Sequence, residues 1–329
     1  MKDLAKNTIE AQECKYNCIG NLGYPGSISL ALEAALWNCY NPIEKLMHSS
    51  KPIRRLSWGN RVLDFEERPY VMGILNCTPD SFFPGSRVPQ IDQAVHRGVA
   101  MIQAGADILD VGGESTRPGS DPVEAPEEID RVVPVIEKIR ALSEVIISID
   151  TRKVEVARKA LAAGADLVND VSALRDNRAL AECIVQRDVP VILMHMRGEP
   201  KTMQENPHYQ DVVAEISEEL VGSIDFARSC GIREDRIIID PGIGFGKRLR
   251  DNLAILGDLR SLHSLGYPLL VGLSRKSFIG AVLDKPVEQR LAGTVAAHML
   301  ALMNGADILR AHDVEEAVDT VKMFGAFRG

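Results

Sequence analysis

Short aliphatic segments alternate with amphipathic helical segments eight times along this chain, and this alternation restricts the fold more than any other feature. The aliphatic runs cover residues 70–75, 107–112, 145–150, 166–170, 189–195, 236–241, 268–273 and 307–313. Between them, apolar residues recur every three or four positions, which is the period of a helix with one buried face. Strands that are apolar throughout are typical of a parallel sheet covered by helices. Eight such units favour an α/β fold with a closed (β/α)8 TIM barrel over an open doubly wound sheet.

A recurring triplet supports this repeat. Gly-Ala-Asp occurs at 105–107, 164–166 and 305–307, each time after a helical segment and before an aliphatic run. Glycine suits the left-handed residue that ends many helices, so the triplet indicates the helix end and the start of the next strand. Pro134 lies inside the second helical segment, where we expect it to kink or shorten the helix.

The first part of the chain does not share the alternation. We predict an N-terminal extension over residues 1–52, partly helical or mobile, and a barrel domain over residues 53–329. Within the second segment, residues 53–68 are expected to form a short hairpin that closes the bottom of the barrel.

Composition narrows the classes of partner. A net charge of −8 argues against a general nucleic-acid-binding protein, which needs a basic face. The six cysteines complete neither a metal-ligand pattern nor a disulfide framework, which favours reduced thiols in a cytoplasm. The chain shows no signal peptide and no apolar run long enough to span a bilayer. We therefore expect a cytoplasmic protein with small-molecule ligands and no membrane partner.

Polar residues collect at one end of every predicted strand, the end at which barrel active sites lie. They are Asn76, Asp80, Glu114–Arg117, Asp150, Asn169, Asp170, His195, Asp240, Ser274–Ser277, Arg310, His312 and Asp313. Carboxylates and amides dominate the middle strands, whereas cations follow the last two. This distribution predicts a ligand with two different ends. One end would offer paired N–H donors, as an aminopyrimidine ring does, and the other would be a phosphate or diphosphate.

The segment "DPGIGFGK" (residues 240–247) resembles a phosphate-binding loop only superficially. A P-loop has four residues between its first glycine and the Gly-Lys pair and then a Ser or Thr, but here the glycines alternate and Arg248 follows the lysine. The dinucleotide-binding Gly-x-Gly-x-x-Gly pattern does not fit either. The glycines therefore have another purpose.

Eight ordered motifs carry a family resemblance over roughly residues 54–325. "MGILNCTPDSF", "DVGGESTRPGS", "SIDT", "NDV", "LMHM", "DPGIGFGK", "GLSRKSFIG" and "RAHDV" resemble the motifs of the dihydropteroate synthase family. The resemblance implies a transferase of folate biosynthesis, the enzyme class that sulfonamides target. Such an enzyme joins 6-hydroxymethyl-7,8-dihydropterin diphosphate to 4-aminobenzoate and releases diphosphate, with Mg2+. It also implies a homodimer.

The resemblance also implies roles for individual residues. Asp80, Asp240 and Lys276 would be catalytic, and the glycines after Asp240 would let the backbone pass close to a flat ring. The pterin would be bound by Asp150, Asn169, Met194, Asp240, Phe245 and Lys276, the aminobenzoate by Thr116, Arg117, Pro118 and Ser277, and the diphosphate by Asn76, Arg310 and His312. Asn76 would also bind the metal.

Two other functions are compatible with parts of the pattern. A pterin-binding methyltransferase barrel that serves a corrinoid protein would share the carboxylates and the amide, but it does not explain "STRPGS" or "SRKS". A barrel that has lost catalysis and serves as a binding subunit would not need Asn76, Asp80, Asp240, Lys276 and Arg310 together.

Overall fold

Eight parallel strands form the centre of the computed structural model, which describes residues 52–78, 87–115, 120–175, 177–199 and 201–328. After a hairpin of β1 (Arg55–Trp58) and β2 (Arg61–Asp64), the barrel strands are β3 (Tyr70–Asn76), β4 (Ile108–Gly112), β5 (Ile146–Asp150), β6 (Leu167–Asp170), β7 (Val191–Met194), β8 (Ile237–Asp240), β9 (Leu270–Gly272) and β10 (Ile308–Ala311). Neighbouring strands pair in the order β8-β7-β6-β5-β4-β3-β10-β9. A parallel bridge between Ile239 and Leu269 joins β8 to β9 and closes the barrel. The predicted (β/α)8 TIM barrel is confirmed.

Helices follow the strands and cover the outside of the sheet. They are α1 (Arg87–Gln103), α2 (Ala125–Leu142), α3 (Val154–Ala162), α4 (Arg178–Arg187), α5 (Val212–Ser229), α6 (Leu249–Gly257), α7 (Leu259–His263), α8 (Ser277–Leu283), α9 (Leu291–Met303) and α10 (Val314–Arg328). Helix α2 continues through Pro134, so the expectation that proline shortens this helix is wrong. Its residues Val132, Val135 and Ile136 are buried, and this packing retains the helix across the missing backbone donor.

The three Gly-Ala-Asp triplets have the predicted conformation at the ends of α1, α3 and α9. Gly105, Gly164 and Gly305 have φ values of +98°, +112° and +98°, which glycine adopts without strain. The aspartates that follow have a second role at the amino ends of the strands. Each accepts a backbone N–H from a neighbouring strand segment: Val71 N to Asp107, Ile147 N to Asp166 and Leu269 N to Asp307.

The same aspartates pair with arginines at the bottom of the barrel. Arg68 pairs with Asp107, Arg140 with Asp166 and Arg54 with Asp307. The β1–β2 hairpin packs here as predicted, because Trp58 Nε1 donates to the carbonyl oxygen of Asp166 at 2.9 Å. The bottom of the barrel is therefore closed by ion pairs and the hairpin, which leaves the opposite end for ligand binding.

Within the described ranges, no helix is both long and apolar enough to cross a bilayer.

Candidate active site

Strand register brings the predicted site residues to the inside of the barrel. Asp150 lies beside Gly112 on one side and Asn169 on the other, and Met194 lies beside Asp240. Successive side chains of a strand point to opposite faces, so residues paired in this way share a face. Asp110 precedes Gly112 by two residues and shares its face. The polar side chains of β4, β5, β6 and β8 therefore converge at the carboxyl ends of the strands.

Arg310 on β10 connects the acids of this interior face. Its Nε donates to Asp110 Oδ2 at 2.6 Å, and its Nη2 donates to Asp150 Oδ2 at 2.8 Å. Asn169 Nδ2 donates to the same oxygen of Asp110 at 3.0 Å. Strands β4, β5, β6 and β10 are thus linked by one hydrogen-bonded group.

Burial sets the charges in this group. Burial and the nearby Asp110 carboxyl raise the pKa of Asp150, and Arg310 opposes the rise. Burial lowers the pKa of Arg310, but Asp110 and Asp150 outweigh it, so the net pKa is raised and the guanidinium stays charged. The fixed cation makes the two buried carboxyls tolerable in a dry environment.

Asp110 belongs to this group although the sequence analysis did not single it out. It is 1% exposed, and its Oδ1 has no hydrogen-bond partner among the described residues. It lies inside the apolar run "DILDVG" rather than after it. A carboxylate at an interior position of a buried strand was the available signal, because such groups require a partner.

Asp240 ends β8 and is 5% exposed. Gly242 N donates to its Oδ1 at 2.7 Å, which orients the carboxyl group. Burial raises the pKa of Asp240, whereas Lys276, Gly242 N and Arg310 lower it. The carboxyl is therefore a buried acceptor close to cations, suited to a ligand that brings N–H donors.

The glycine loop, residues 241–246, has a shape that other residues could not adopt. Gly242, Gly244 and Gly246 have φ values of +63°, +88° and +63°. A Cβ on Gly242 would lie 1.9 Å from the carbonyl oxygen of His195, and one on Gly246 would lie 2.3 Å from that of Arg197. The loop thus packs backbone to backbone against the segment that follows β7, and the alternating glycines permit this contact.

Lys276 and Phe245 lie next to each other at this loop. Lys276 Nζ is 4.7 Å from the centre of the Phe245 ring and donates to the carbonyl oxygen of Ile243. Burial lowers the pKa of Lys276 to about 8, with Asp240 opposing the decrease. Phe245 packs against a buried cluster of Val171, Met194, Met196 and Met203. The site therefore has an apolar wall beside its charged groups.

The segments after β9 and β10 place further polar side chains at this end of the barrel. His312 is exposed at the rim, and its backbone N and Nδ1 each lie 3.2 Å from Ser274 Oγ. Ser277 is the exposed first residue of α8. Arg275 does not serve as a ligand-binding cation, because its Nε and Nη2 each donate to the Asp313 carboxylate at 2.8 Å.

Other predicted residues have different surroundings. Asn76 ends β3 and is partly buried, and its carbonyl oxygen accepts a 3.2 Å hydrogen bond from Arg97. Glu114 is held by Lys153 and Arg152. Asp80, Thr116, Arg117, Pro118 and the extension over residues 1–51 lie outside the described residues.

No group of three or more His, Cys, Asp or Glu side chains able to hold a metal ion occurs in the part of the chain that the structure describes. The predicted ligand Asn76 offers a single amide oxygen. Mg2+ commonly binds through one or two protein oxygens, waters and substrate phosphates, so this donor set fits a magnesium ion that accompanies a diphosphate.

Comparisons with known proteins agree with this geometry. A model of the family described as pterin binding enzyme matches residues 72–312. The dihydropteroate synthase of Synechocystis is 45% identical over 269 residues, which are 82% of this chain and 93% of the relative.

Two solved structures of the Xanthomonas albilineans dihydropteroate synthase are similar to this chain. The one with 4-aminobenzoic acid has a TM-score of 0.78 at 47% identity, covering 84% of this chain and 98% of the other. The one in complex with 7,8-dihydropteroate has a TM-score of 0.76 at 45% identity, covering 84% and 99%.

Proposed function

The chain belongs to the family of pterin binding enzymes, and from this membership we propose that it is a dihydropteroate synthase. Its reaction joins 6-hydroxymethyl-7,8-dihydropterin diphosphate to 4-aminobenzoate, forming 7,8-dihydropteroate and diphosphate. The observation that carries the proposal is that Arg310 donates hydrogen bonds to Asp110 and Asp150. Asp240 and Lys276 lie at the same mouth of the barrel, which is the end formed by the carboxyl ends of the strands.

The acids of the mouth fit the pterin ring. Asp150 and Asp240 end their strands, and Asn169 is the last residue but one of β6. Carboxylate and amide oxygens accept the paired N–H groups of an aminopyrimidine. Met194 and Phe245 supply apolar surface for the flat ring. The Lys276 ammonium, held over Phe245, lies at the edge of the same space. These contacts would orient the ring and its methylene carbon.

Arg310, His312 and Asn76 are suited to binding the diphosphate leaving group. Arg310 uses one N–H of Nε and one of Nη2 on the acids, and its remaining N–H groups are suited to the diphosphate. His312 and Asn76 stand at the ends of β10 and β3. A bound magnesium ion would neutralise negative charge on the diphosphate, with Asn76 as its protein ligand.

The amine of 4-aminobenzoate is neutral at pH 7 and already nucleophilic, so the reaction needs no catalytic triad. The principal barrier is charge separation as the C–O bond to diphosphate breaks. Arg310 stabilises the departing anion, and the Asp240 carboxylate stabilises positive charge that develops on the pterin. We therefore propose a substitution with dissociative character. Attack by the amine forms the C–N bond, and the amine then loses its proton.

The remaining residues of the family resemblance complete this proposal. Thr116, Arg117, Pro118 and Ser277 would bind the aminobenzoate, and Asp80 would be catalytic. We expect sulfonamides, which mimic aminobenzoate, to compete for the same place. A homodimer, a cytoplasmic location and a barrel domain beginning at residue 53 likewise stay predictions.

The decisive experiment incubates the purified full-length protein with the pterin diphosphate, 4-aminobenzoate and magnesium chloride. Chromatography should detect dihydropteroate, and a coupled assay should detect an equal amount of diphosphate. Absence of both products, together with methyl transfer from a methylated folate to a corrinoid protein, would instead establish the methyltransferase alternative.

A further inference from the structure

Two lysines donate hydrogen bonds to the glycine loop. Lys276 belongs to the proposed pterin site, whereas Lys247 does not. Lys276 donates to Ile243 O, and Lys247 donates to Phe245 O at 2.9 Å. Lys247 is 3% exposed, an unusual position for a lysine. Burying an ammonium group is costly unless each of its N–H groups has a hydrogen-bond acceptor.

The Lys247 ammonium has three acceptors within reach, one for each of its N–H groups. Besides Phe245 O, they are His195 Nδ1 at 2.9 Å and His195 O at 3.4 Å. The His195 ring continues the chain, because its Nε2 lies 3.0 Å from Glu219 Oε2 on α5. Burial lowers the pKa of Lys247 to about 7, and the Asp240 and Glu219 carboxylates oppose this decrease. The acceptors His195 and Phe245 favour the charged form of the amine.

With Lys247 charged, the protons of this hydrogen-bonded series have one arrangement. Hydrogen bonds from His195 and Arg197 lower the pKa of Glu219 to about 2, so its carboxylate can only accept. His195 Nε2 must then carry a proton. Burial and Lys247 lower the pKa of His195 to about 4, which leaves the ring neutral and Nδ1 bare. Lys247 thus donates to Nδ1, and His195 donates to Glu219.

Lys247 bridges two segments that touch through their backbones. The segment after β7 supplies His195, and the glycine loop supplies Phe245. Gly242 and Gly246 allow the two backbones to meet, but they make no side-chain bond. Asp240 immediately precedes this loop, and Phe245 lies near its end. A shift of the loop would therefore displace an acid and an apolar wall of the pterin site together.

We propose that Lys247 is a positioning residue: oriented by His195 and Glu219, it holds the glycine loop so that Asp240 and Phe245 meet the pterin correctly. The inference rests on the proposed function, which it deepens by naming the group that orders the ring-binding side of the site. Glu219 is the accessible end of this hydrogen-bonded series. It lines a cavity of about 290 Å³ that Met194 and His195 also line.

Helix α5 offers a matched pair of substitutions. Glu215 and Glu219 both pair with Arg197, but Glu219 also bonds His195. In Glu219→Gln we expect KM for the pterin diphosphate to rise about fivefold to tenfold, while KM for 4-aminobenzoate is unchanged. Glu215→Gln should leave both constants within about twofold of the wild type. Equal effects of the two substitutions on the pterin KM would overturn the proposal.

A spectroscopic measurement tests the orientation directly. Nitrogen-15 NMR of the full-length protein should show a neutral His195 ring with its proton on Nε2. The resonance should move in Glu219→Gln and stay in place in Glu215→Gln. A proton on Nδ1 in the wild type would contradict the proposed chain.

Lys247→Met removes the ammonium but keeps an unbranched side chain of similar length. We expect its affinity for the unreactive 6-hydroxymethylpterin to fall at least tenfold by calorimetry. A stable variant with wild-type affinity would overturn the proposal, and Glu219→Gln decides the matter if Lys247→Met does not fold. Calorimetry and NMR need no turnover, so they remain readable if the wild type forms no dihydropteroate.

Discussion

Arg310 Nε donates a 2.6 Å hydrogen bond to Asp110 Oδ2, a residue 200 positions earlier in the chain. The contact joins β10 to β4 inside the barrel, although β3 lies between these strands. It places a fixed cation beside the acids that end the middle strands. The predicted acidic and cationic sides of the site are therefore joined by hydrogen bonds of Arg310, and one of its acceptors, Asp110, lies inside a strand.

Asp110→Asn should weaken the hold on Arg310, because a neutral amide replaces the charged acceptor. We expect kcat/KM for the pterin diphosphate to fall about 10-fold to 100-fold, corresponding to about 1.5–3 kcal/mol. Steady-state kinetics measure the effect. Ser148→Ala is the control, since Ser148 lies beside Asp110 on β5 and its buried hydroxyl has no partner in the described ranges. Similar losses in both variants would argue against the anchoring role.

Asp240→Asn removes the carboxylate that would stabilise positive charge on the pterin. We expect kcat to decrease about 100-fold to 1,000-fold, as for the loss of one preorganised transition-state contact. Asp170→Asn provides a buried comparison, because Asp170 accepts from Ser172 and Leu174 and caps a turn. That variant should lose stability but keep kcat within about threefold. Near-normal turnover of Asp240→Asn in single-turnover assays would refute the assignment.

Gly242→Ala tests the backbone contact of the glycine loop. The added Cβ would lie 1.9 Å from His195 O, at a φ of +63°, so we expect loss of most folded protein. Gly222→Ala is the matched control inside α5, because nothing lies within 4 Å of its Cβ position. It should raise stability by about 0.5–1 kcal/mol. Urea denaturation followed by circular dichroism distinguishes the two outcomes.

The pH profile should report the ammonium of Lys276. Burial lowers the pKa of this group to about 8, so the free enzyme loses the charge as the pH rises through that value. We expect kcat/KM for the pterin diphosphate to fall as the pH rises through about 8, since kcat/KM reports free-enzyme groups. A first decrease is expected near pH 7 from Lys247, whose pKa burial lowers to about 7. Lys276→Arg should have lower activity but no decrease near pH 8. An unchanged alkaline limb in that variant would assign the titration to another group.

Asp307 should govern stability rather than turnover. It pairs with Arg54 and accepts from Leu269 N at the bottom of the barrel, opposite the proposed site. Asp307→Asn should lower the free energy of unfolding by about 1–3 kcal/mol through weakened buried bonds. Activity of the folded fraction should stay at the wild-type level. A specific decrease in kcat, measured below the unfolding transition, would contradict this separation.

Sequence patterns predicted the elements well because strands and helices follow local periodicity. All eight barrel strands lie within or next to their predicted runs, and the three triplet glycines have the expected positive φ. Pro134 does not shorten α2 as expected, because buried neighbours hold the helix together across it, while the kink expected as the alternative stays a prediction. Asp150, Asn169 and Asp240 were identified because each lies at or next to the carboxyl end of a strand, where barrel active sites lie.

Asp110 and Lys247 escaped sequence analysis for different reasons. Asp110 lies inside a run that reads as apolar strand, and its partner Arg310 comes from the last barrel strand. Lys247 was part of a recognised motif, but its histidine partner lies 52 positions away. Lysine is usually exposed, and no local sequence pattern indicates that Lys247 is buried against the imidazole of His195.

The order of strands and helices, and the end of the barrel that carries chemistry, follow from the sequence because they depend on neighbours a few positions apart. The pairing of Arg310 with Asp110 and Asp150, and of Lys247 with His195, was decided only by the tertiary structure. Barrel closure brings distant strands within hydrogen-bonding distance and removes water, and in that environment each buried charge requires a specific partner.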